Sequence, residues 1–229
     1  NKKYYDVSNV FRFLNEYLEL ASSKVTIQKL NSLLSDDFVK NIFKLSSKDV
    51  EEVLNILEDS GFDWGIDAKE RSGEFMNTLD WCIQRITLGM LYDDEFFLEK
   101  NNISSFSSNN FYIDLHKCVN ILTQIKRDIN SLRGLFNFRE WINKIKTILQ
   151  NLRYKNGFYN EEINEMNIIL DKLLKQVDCN NLMDIYLVKE ILFKNINKPN
   201  NIYLNRNNQV LIGDINTIRL IPHKIIFLI

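Results

Sequence analysis

The chain has 229 residues, of which 45% are apolar and 26% charged, and its formal net charge is −1. This length and apolar content are enough for one large or two small domains with a substantial core, and they exclude an intrinsically disordered chain. No apolar run reaches the roughly 18 residues that cross a bilayer, and the first residues lack the features of a signal peptide. Only 7 glycines and 2 prolines interrupt the sequence, which predicts long helices.

The cysteine content indicates a reduced setting. Cys82, Cys118 and Cys179 are widely spaced and odd in number, so a disulfide framework is not expected. We therefore expect a cytoplasmic protein.

Apolar residues at helical spacing predict two helical regions at the start of the chain, the first capped by Ser8. The second region, residues 27–43, is expected to contain one or two short helices with a break near Ser35. The next helix has a stronger signal, because Ser46 and Asp49 have the spacing of a capping box and Gly61 is suited to end it. The residues expected on the buried faces of the first and third of these regions are Val10, Phe13, Leu14, Tyr17, Val50, Val53, Leu54 and Leu57.

Five further helices are predicted, with a polar loop over residues 93–110 after the first of them. The last of these helices, over residues 181–196, is expected to end before Pro199. The apolar stripes of the other four are Leu79, Ile83, Ile86 and Met90; Leu115, Val119, Leu122, Ile125, Ile129 and Leu132; Trp141, Ile145, Ile148 and Leu152; and Ile163, Met166, Leu170 and Leu173.

The C-terminal residues change from helical to strand periodicity. Residues 201–215 predict a hairpin, and residues 224–229 predict a strand that is apolar on both faces, as buried parallel strands are. Such a strand needs neighbours that this sequence does not supply, and the first residue is Asn rather than Met. We therefore expect a piece of a longer protein: a mainly α, bundle-like body over residues 1–198, and a small β element over residues 199–229 that returns to a sheet outside the chain.

No motif for catalysis or cofactor binding is present. The phosphate-binding G-x-x-x-x-G-K-[ST] motif is missing, and the two histidines, His116 and His223, do not have metal-ligand or triad spacing with the cysteines. Acidic pairs at residues 36–37 and 93–94 are of a type that can bind Mg²⁺, although such pairs more commonly start helices or lie in solvated loops. We expect no catalytic residue, no cofactor and no metal.

Positive charge is concentrated in the second half of the chain. Residues 1–100 contain 12 basic and 19 acidic residues, whereas residues 101–229 contain 17 and 11. Arg139, Lys146 and Arg153 recur every seven residues and form a line opposite the apolar face of their helix. The preceding helix adds Lys126, Arg127 and Arg133. This basic stripe is of a type that contacts DNA phosphates or an acidic partner subunit, and the alternative is a solvated helix face.

The three tryptophans are expected to anchor the core rather than to stack on nucleobases. They are Trp64, Trp81 and Trp141. Trp64 is followed by Gly65 and a charged turn, which indicates a specific local structure.

Three segments occur in order along the chain: GFDWGIDAKER at residues 61–71, LDWCIQRITLG at 79–89 and IRLIPHKIIFLI at 218–229. Together they resemble the gamma subunit of exodeoxyribonuclease V, the RecC family. That family has a Gly-x-x-Trp-Gly-(Ile/Leu)-Asp segment with an Arg beyond it, and a helix with the pattern W-x-F-G-L-x-R-L-L-L-G. Here the second pattern reads LDWCIQRITLG, in which Leu79, Cys82 and Thr87 depart from the family residues. The end of the chain, IRLIPHKIIFLI, is similar to the family's M-R-S-I-P-F-K-V-V-C-L-L. The matching residues are Gly61, Trp64, Gly65, Ile66, Asp67, Arg71, Arg85, Leu88, Gly89, Glu140, Trp141, Arg219, Ile221, Pro222 and Lys224.

The resemblance implies an accessory helical insertion in a superfamily-one helicase-like subunit that has lost its ATPase motifs. The C-terminal strand is then the element that re-enters a RecA-like domain. The family's subunit assists in splitting duplex DNA, guides single strands and scans for a recombination sequence. It works with a helicase–nuclease (beta) subunit and a second helicase (alpha) subunit in bacterial double-strand-break repair.

Three functions remain open at this point. The first is a non-catalytic scaffold or DNA-guiding piece of that complex, in the bacterial cytoplasm and without membrane contact. The second is a free-standing helical nucleic-acid-binding module, and the third is a metal-dependent nuclease.

Overall fold

The computed structural model describes residues 8–92, 97–99, 103–106, 113–155, 159–177 and 179–196, with residues 152–155 and 196 described through their backbone only. Within these ranges the chain is mainly helical, which confirms the predicted fold class. No helix of this part of the chain has the length and apolar composition that crossing a membrane requires. The elements are α1 Asn9–Ser22, α2 Ile27–Ser35, α3 Asp37–Phe43, α4 Ser47–Asp59, α5 Leu79–Leu91, β1 Phe97–Leu98, β2 Ile103–Ser104, α6 Leu115–Ser131, β3 Phe136–Asn137, α7 Phe138–Lys155, α8 Asn160–Leu174, β4 Leu182–Met183 and α9 Ile185–Ile196.

Helix N-termini are capped as the sequence predicts. The Ser8 hydroxyl accepts a hydrogen bond from the backbone N–H of Phe11. Ser46 and Asp49 form a reciprocal capping box at the start of α4, and the break near Ser35 separates α2 from α3. These bonds satisfy N–H groups that have no partner inside a helix.

Helix α1 is the central element of the body. It packs against α2, α3, α6, α8 and α9, and its predicted apolar face is fully buried. Phe13 lies at the centre, with its ring centroid 4.3 Å from that of Tyr17 and 5.4 Å from that of Phe38 on α3. The core of the described residues is therefore built around one amphipathic helix rather than around a sheet.

A carboxylate from the far end of the described chain caps α1. Glu162, in the first turn of α8, accepts hydrogen bonds from the Ser8 hydroxyl at 3.2 Å, the Asn9 amide at 3.1 Å and the Val10 backbone N–H at 3.2 Å. A negative charge at a helix N-terminus is favourable for both hydrogen bonding and the helix dipole. Glu162 therefore fixes α8 against the start of α1.

The predicted polar loop over residues 93–110 contains short strands in its described part, so that prediction was incomplete. β1 and β2 pair antiparallel, with Phe97 opposite Ser104 and Leu98 opposite Ile103. Two-residue strands are too short for an alternating pattern to be detected. Beyond the loop, the buried carboxylate of Glu52 accepts the backbone N–H of Ile113 at 2.6 Å and fixes the return of the chain onto α4.

The last predicted helix starts later than expected. Leu182 and Met183 form β4, which pairs antiparallel with β3, and α9 begins only at Ile185. The Trp141 indole N–H donates to the Met183 carbonyl oxygen at 2.9 Å, so a buried side chain of α7 holds β4 in place. A contact across 42 residues of sequence cannot be read from local periodicity.

The predicted C-terminal β element cannot be compared with this architecture. The hairpin over residues 201–215, the strand over residues 224–229 and the domain boundary near residue 198 lie outside the described residues, and they stay predictions.

Candidate functional site

Six of the fifteen residues that carry the family resemblance lie in residues 61–78, between α4 and α5, here called the Trp64 loop. The loop pairs with the segment before α2 through a bridge between Thr26 and Trp64. The Gly65 N–H donates to the Val25 carbonyl at 2.7 Å, and the Gly65 carbonyl accepts the Leu79 N–H at 2.9 Å. The backbone of this one residue therefore joins the segment before α2 to the start of α5.

The two glycines of the motif have backbone conformations that other residues resist. Gly61 has φ +94° and Gly65 has φ +83°. A Cβ atom on Gly61 would lie 3.2 Å from the Trp81 ring, and one on Gly65 would lie 3.2 Å from Arg71 Cγ. Any L side chain at either position would introduce both backbone strain and crowding.

Glu70 is the main polar contact of the loop. Its carboxylate accepts the backbone N–H of Ile66 at 2.7 Å and that of Val25 at 3.3 Å. It also receives a hydrogen bond from the Arg133 guanidinium at 2.8 Å, and the Glu70 side chain is only 11% exposed. A single carboxylate therefore connects the loop, the start of α2 and the end of α6.

Asp67 and Arg71 stabilise the two ends of the same turn. One Asp67 oxygen accepts the backbone N–H groups of Lys69 and Glu70, and the other accepts the Asn130 amide of α6 at 3.3 Å. Arg71 donates to the Met76 carbonyl at 3.0 Å, and its guanidinium carbon lies 4.9 Å from the Trp64 ring centroid. Both of these motif residues therefore have a local structural use in this chain.

Arg85 performs a similar function on α5. It donates to the Ser60 carbonyl at 2.5 Å, at the end of α4, and to the Ser104 carbonyl at 3.0 Å, in β2. Its guanidinium carbon also lies 4.7 Å from the Trp81 ring centroid. Arg85 therefore joins α4, α5 and the β1–β2 hairpin, while Gly89 lies half-buried one turn further along α5.

The predicted core role of the tryptophans holds for two of the three. Trp81 and Trp141 are buried. Trp64 is only half-buried, and the Lys24 ammonium lies 4.5 Å from its ring centroid. Trp64 therefore differs from the other two in having a ring that cations approach at the surface.

Three residues of the predicted basic cluster form ion pairs inside the chain. Lys126 contacts Asp80 of α5 at 2.6 Å, and Arg133 contacts Glu70 as described above. Lys146 contacts Asp171 of α8 at 2.6 Å. These cations fasten α6 and α7 to neighbouring elements, and their charges are balanced within the chain.

The remaining basic residues are not brought into those contacts. Arg127 on α6 and Arg139 at the start of α7 are exposed, and neither forms an ion pair with another described residue. Arg153 lies on α7, but its side chain is outside the described part. Arg219 and Pro222 also lie outside the described residues.

Glu140 and Trp141, which also match the family, have a local structural use as well. The Glu140 N–H donates to the Asn137 side chain at 2.9 Å, and the Glu140 carboxylate accepts the Asn137 N–H at 3.2 Å. This reciprocal capping starts α7. The adjacent Trp141 then holds β4.

Neither the role of Glu70 nor the partners of the basic residues were predicted from the sequence. Glu70 stands between Lys69 and Arg71, which suggested only a charged turn. The available signal was its position three residues after Asp67 inside the motif. Its partners Val25 and Arg133 are 45 and 63 residues away, and no sequence spacing indicates them.

Two of the three cysteines and one acidic pair of the described part are shielded or paired. Burial raises the pKa of the Cys82 thiol to about 11 and that of Cys118 to about 12. Asp36 caps α3 and Asp37 pairs with Lys40, as expected of a helix start, whereas Asp93 and Asp94 lie outside the described residues. No group of three or more His, Cys, Asp or Glu side chains that could hold a metal ion occurs among the described residues.

Comparison with known proteins identifies the family. No curated protein matches the chain. A family model described as "RecBCD enzyme subunit RecC fourth domain" matches residues 7–200, which is most of the chain and includes all the described elements. The ordered motif residues, the mainly helical fold and this match agree, and the chain belongs to the family of the fourth domain of the RecBCD enzyme subunit RecC.

Proposed function

We propose that the chain is a non-catalytic scaffold and DNA-guiding domain of a RecBCD-type helicase–nuclease complex in bacterial double-strand-break repair. Its partners are the helicase–nuclease (beta) subunit, the second helicase (alpha) subunit and DNA held in the complex, in the cytoplasm. The observation that carries this proposal is that two motif residues, and one residue that lies between motif positions, connect separate elements. Glu70, Arg85 and Trp141 with their neighbours join separate elements of the body, which is the requirement of a rigid support.

Contact with DNA is assigned to the exposed cations rather than to the whole basic cluster. A phosphate contact by Lys126, Arg133 or Lys146 would compete with a carboxylate already 2.6–2.8 Å away. Arg127 and Arg139 have no such competitor among the described residues, and an exposed guanidinium is well suited to bind phosphate. Arg153 shares the predicted line with Arg139 and completes the proposed contact set.

The test is the salt dependence of DNA-end binding by the assembled three-subunit complex. The logarithm of the binding constant falls as the logarithm of the salt concentration rises. Replacing both exposed arginines, Arg127→Gln and Arg139→Gln, should make this slope shallower by roughly 1.4–1.8, because each lost phosphate contact removes about 0.7–0.9. The control is Lys172→Gln with Lys175→Gln, which removes the same charge from exposed positions on or just after α8. Equal slopes for the wild type and the arginine variant would contradict the phosphate assignment.

Assembly of the same variant separates guiding from scaffolding. If the arginine variant assembles with both partner subunits and loses only salt-dependent binding, the two cations guide DNA. If it fails to assemble while the lysine control assembles, the cations contact a partner subunit instead. Strong, salt-dependent DNA binding by the isolated chain, equal to that of the complex, would favour a free-standing nucleic-acid-binding module over this proposal.

A further inference from the structure

A cleft of about 440 Å³ opens on the surface beside the half-buried Trp64 ring. It lies between the last turn of α4, the first turn of α2 and the start of the Trp64 loop. Two of the side chains that line it, Phe62 and Ile27, are apolar. The residues that line it are Lys24, Thr26, Ile27, Gln28, Glu58, Phe62, Asp63 and Trp64.

The Trp64 ring already binds cations within the chain. The Lys24 ammonium lies 4.5 Å from the ring centroid, and the Arg71 guanidinium carbon lies 4.9 Å from it. The Arg71 side chain is only 8% exposed and is held by the loop. Lys24 is an exposed residue on the wall of the cleft, so its contact with the ring can be exchanged for that of another cation.

Two carboxylates line the same cleft, and their charges are at most weakly compensated by described cations. Glu58 is exposed in the last turn of α4 and forms no ion pair with another described residue. Asp63 is 60% exposed, and its nearest cation, Arg71, is 3.8 Å away. The negative end of the α4 helix dipole lies near the two carboxylates and adds to their negative potential. The last turn of α4 contains no basic residue that would compensate it. The electrostatic character of the site therefore favours a cation.

We propose that this cleft, here called the Trp64 cleft, binds an arginine side chain of a partner protein chain. The guanidinium takes the position of the Lys24 ammonium over Trp64 and pairs with Glu58 and Asp63. A guanidinium suits this site better than an ammonium, because it is planar, stacks on aromatic rings and pairs with two carboxylate oxygens at once. This inference rests on the proposed function, because it specifies the kind of side chain through which a partner subunit contacts this domain. Its test does not require assembly of the complex.

The test uses the 229-residue chain and argininamide as the probe. Titration is followed by the indole N–H signals of the three tryptophans in nuclear magnetic resonance spectra. We expect the Trp64 signal to shift and saturate, while those of the buried Trp81 and Trp141 stay in place. Citrulline amide has the same shape and the same α-ammonium group but lacks the guanidinium charge, so it should produce no saturable shift. Lysinamide should bind more weakly than argininamide.

Two variants test the assignment of the contacts. Lys24→Ala removes the internal competitor and should tighten argininamide binding about two- to fivefold, the value of one exposed cation–π contact. Glu58→Gln with Asp63→Asn should abolish saturation without moving the unliganded signals of Trp81 and Trp141, which report an intact core.

Several results would overturn the inference. They are equal shifts with argininamide and citrulline amide, retained binding in the double carboxylate variant, or a Trp64 shift produced by inorganic phosphate instead of argininamide. The tests of DNA-end binding and subunit assembly do not depend on argininamide binding. Failure of the cleft proposal can therefore be distinguished from failure of the proposed function.

Discussion

Removing the Glu70 carboxylate is the most direct test of how the Trp64 loop is held. Glu70→Ala leaves the backbone N–H groups of Ile66 and Val25 without their acceptor, and it leaves the Arg133 guanidinium unpaired. Each poorly satisfied N–H costs about 1–3 kcal/mol when buried. The Arg133 side chain is 23% exposed and regains part of its hydration. The expected loss in free energy of unfolding is therefore about 2–4 kcal/mol.

Urea denaturation measures this loss, with a surface carboxylate of the same loop as the control. Glu74 pairs with the same loop's Arg71, but its side chain is 65% exposed, so Glu74→Ala should cost no more than about 1 kcal/mol. The midpoint should fall in Glu70→Ala while the slope m stays constant, since the folded chain remains as compact.

A double-mutant cycle with Arg133→Ala isolates the ion pair between α6 and the loop. We expect a coupling energy of about 0.5–3 kcal/mol, as is usual for residues in one network. If Glu70→Ala were no more destabilising than Glu74→Ala, or if the coupling with Arg133 were zero, Glu70 would not be the central contact of the loop.

Three further predictions concern the cap of α1, the thiols and a half-buried carboxyl. Glu162→Ala should lower the free energy of unfolding by about 1–2 kcal/mol in urea denaturation, because it removes a cap on α1. In the folded chain at pH 8, a thiol reagent should modify Cys179 first. Burial raises the pKa of Cys82 to about 11 and that of Cys118 to about 12, so almost none of either thiol is present as the reactive thiolate at this pH. Burial also raises the pKa of Glu16 to about 7, so the folded state binds the proton of this carboxyl more tightly than the unfolded state does. The wild type should therefore lose stability relative to Glu16→Gln as the pH rises. We expect the difference in free energy of unfolding, Glu16→Gln minus wild type, to increase by about 1–2 kcal/mol from pH 4 to pH 8, a value reduced because the side chain is half-exposed.

Each of these predictions has a matched comparison. Glu161→Ala removes the neighbouring charge from the first turn of α8 without touching α1, and equal losses for the two glutamate variants would contradict the cap. In denaturant all three thiols should react at one rate, and rapid reaction of all three in the folded chain would contradict their burial. A constant difference between Glu16→Gln and the wild type across pH would show that the carboxyl is not shifted.

The sequence by itself determined most of the helices and most of the residues on their buried faces. Helical amphipathicity is a local property, because residues three and four apart lie on one face whatever surrounds the helix. For the same reason the capping box at Ser46 and Asp49 was predictable from four consecutive residues. The ordered family motif, which is also written in short segments, indicated the family that the match over residues 7–200 then identified.

Only the tertiary structure decided what the polar residues do. The basic cluster predicted on α6 and α7 divides into cations paired within the chain and cations exposed to solvent, because Asp80, Glu70 and Asp171 arrive from other elements. Trp64 has the sequence properties of a core residue, yet helix packing leaves its ring at the edge of a cleft. Partners separated by 25 to 154 residues are chosen by the way helices pack, and that packing depends on the whole core rather than on any local segment.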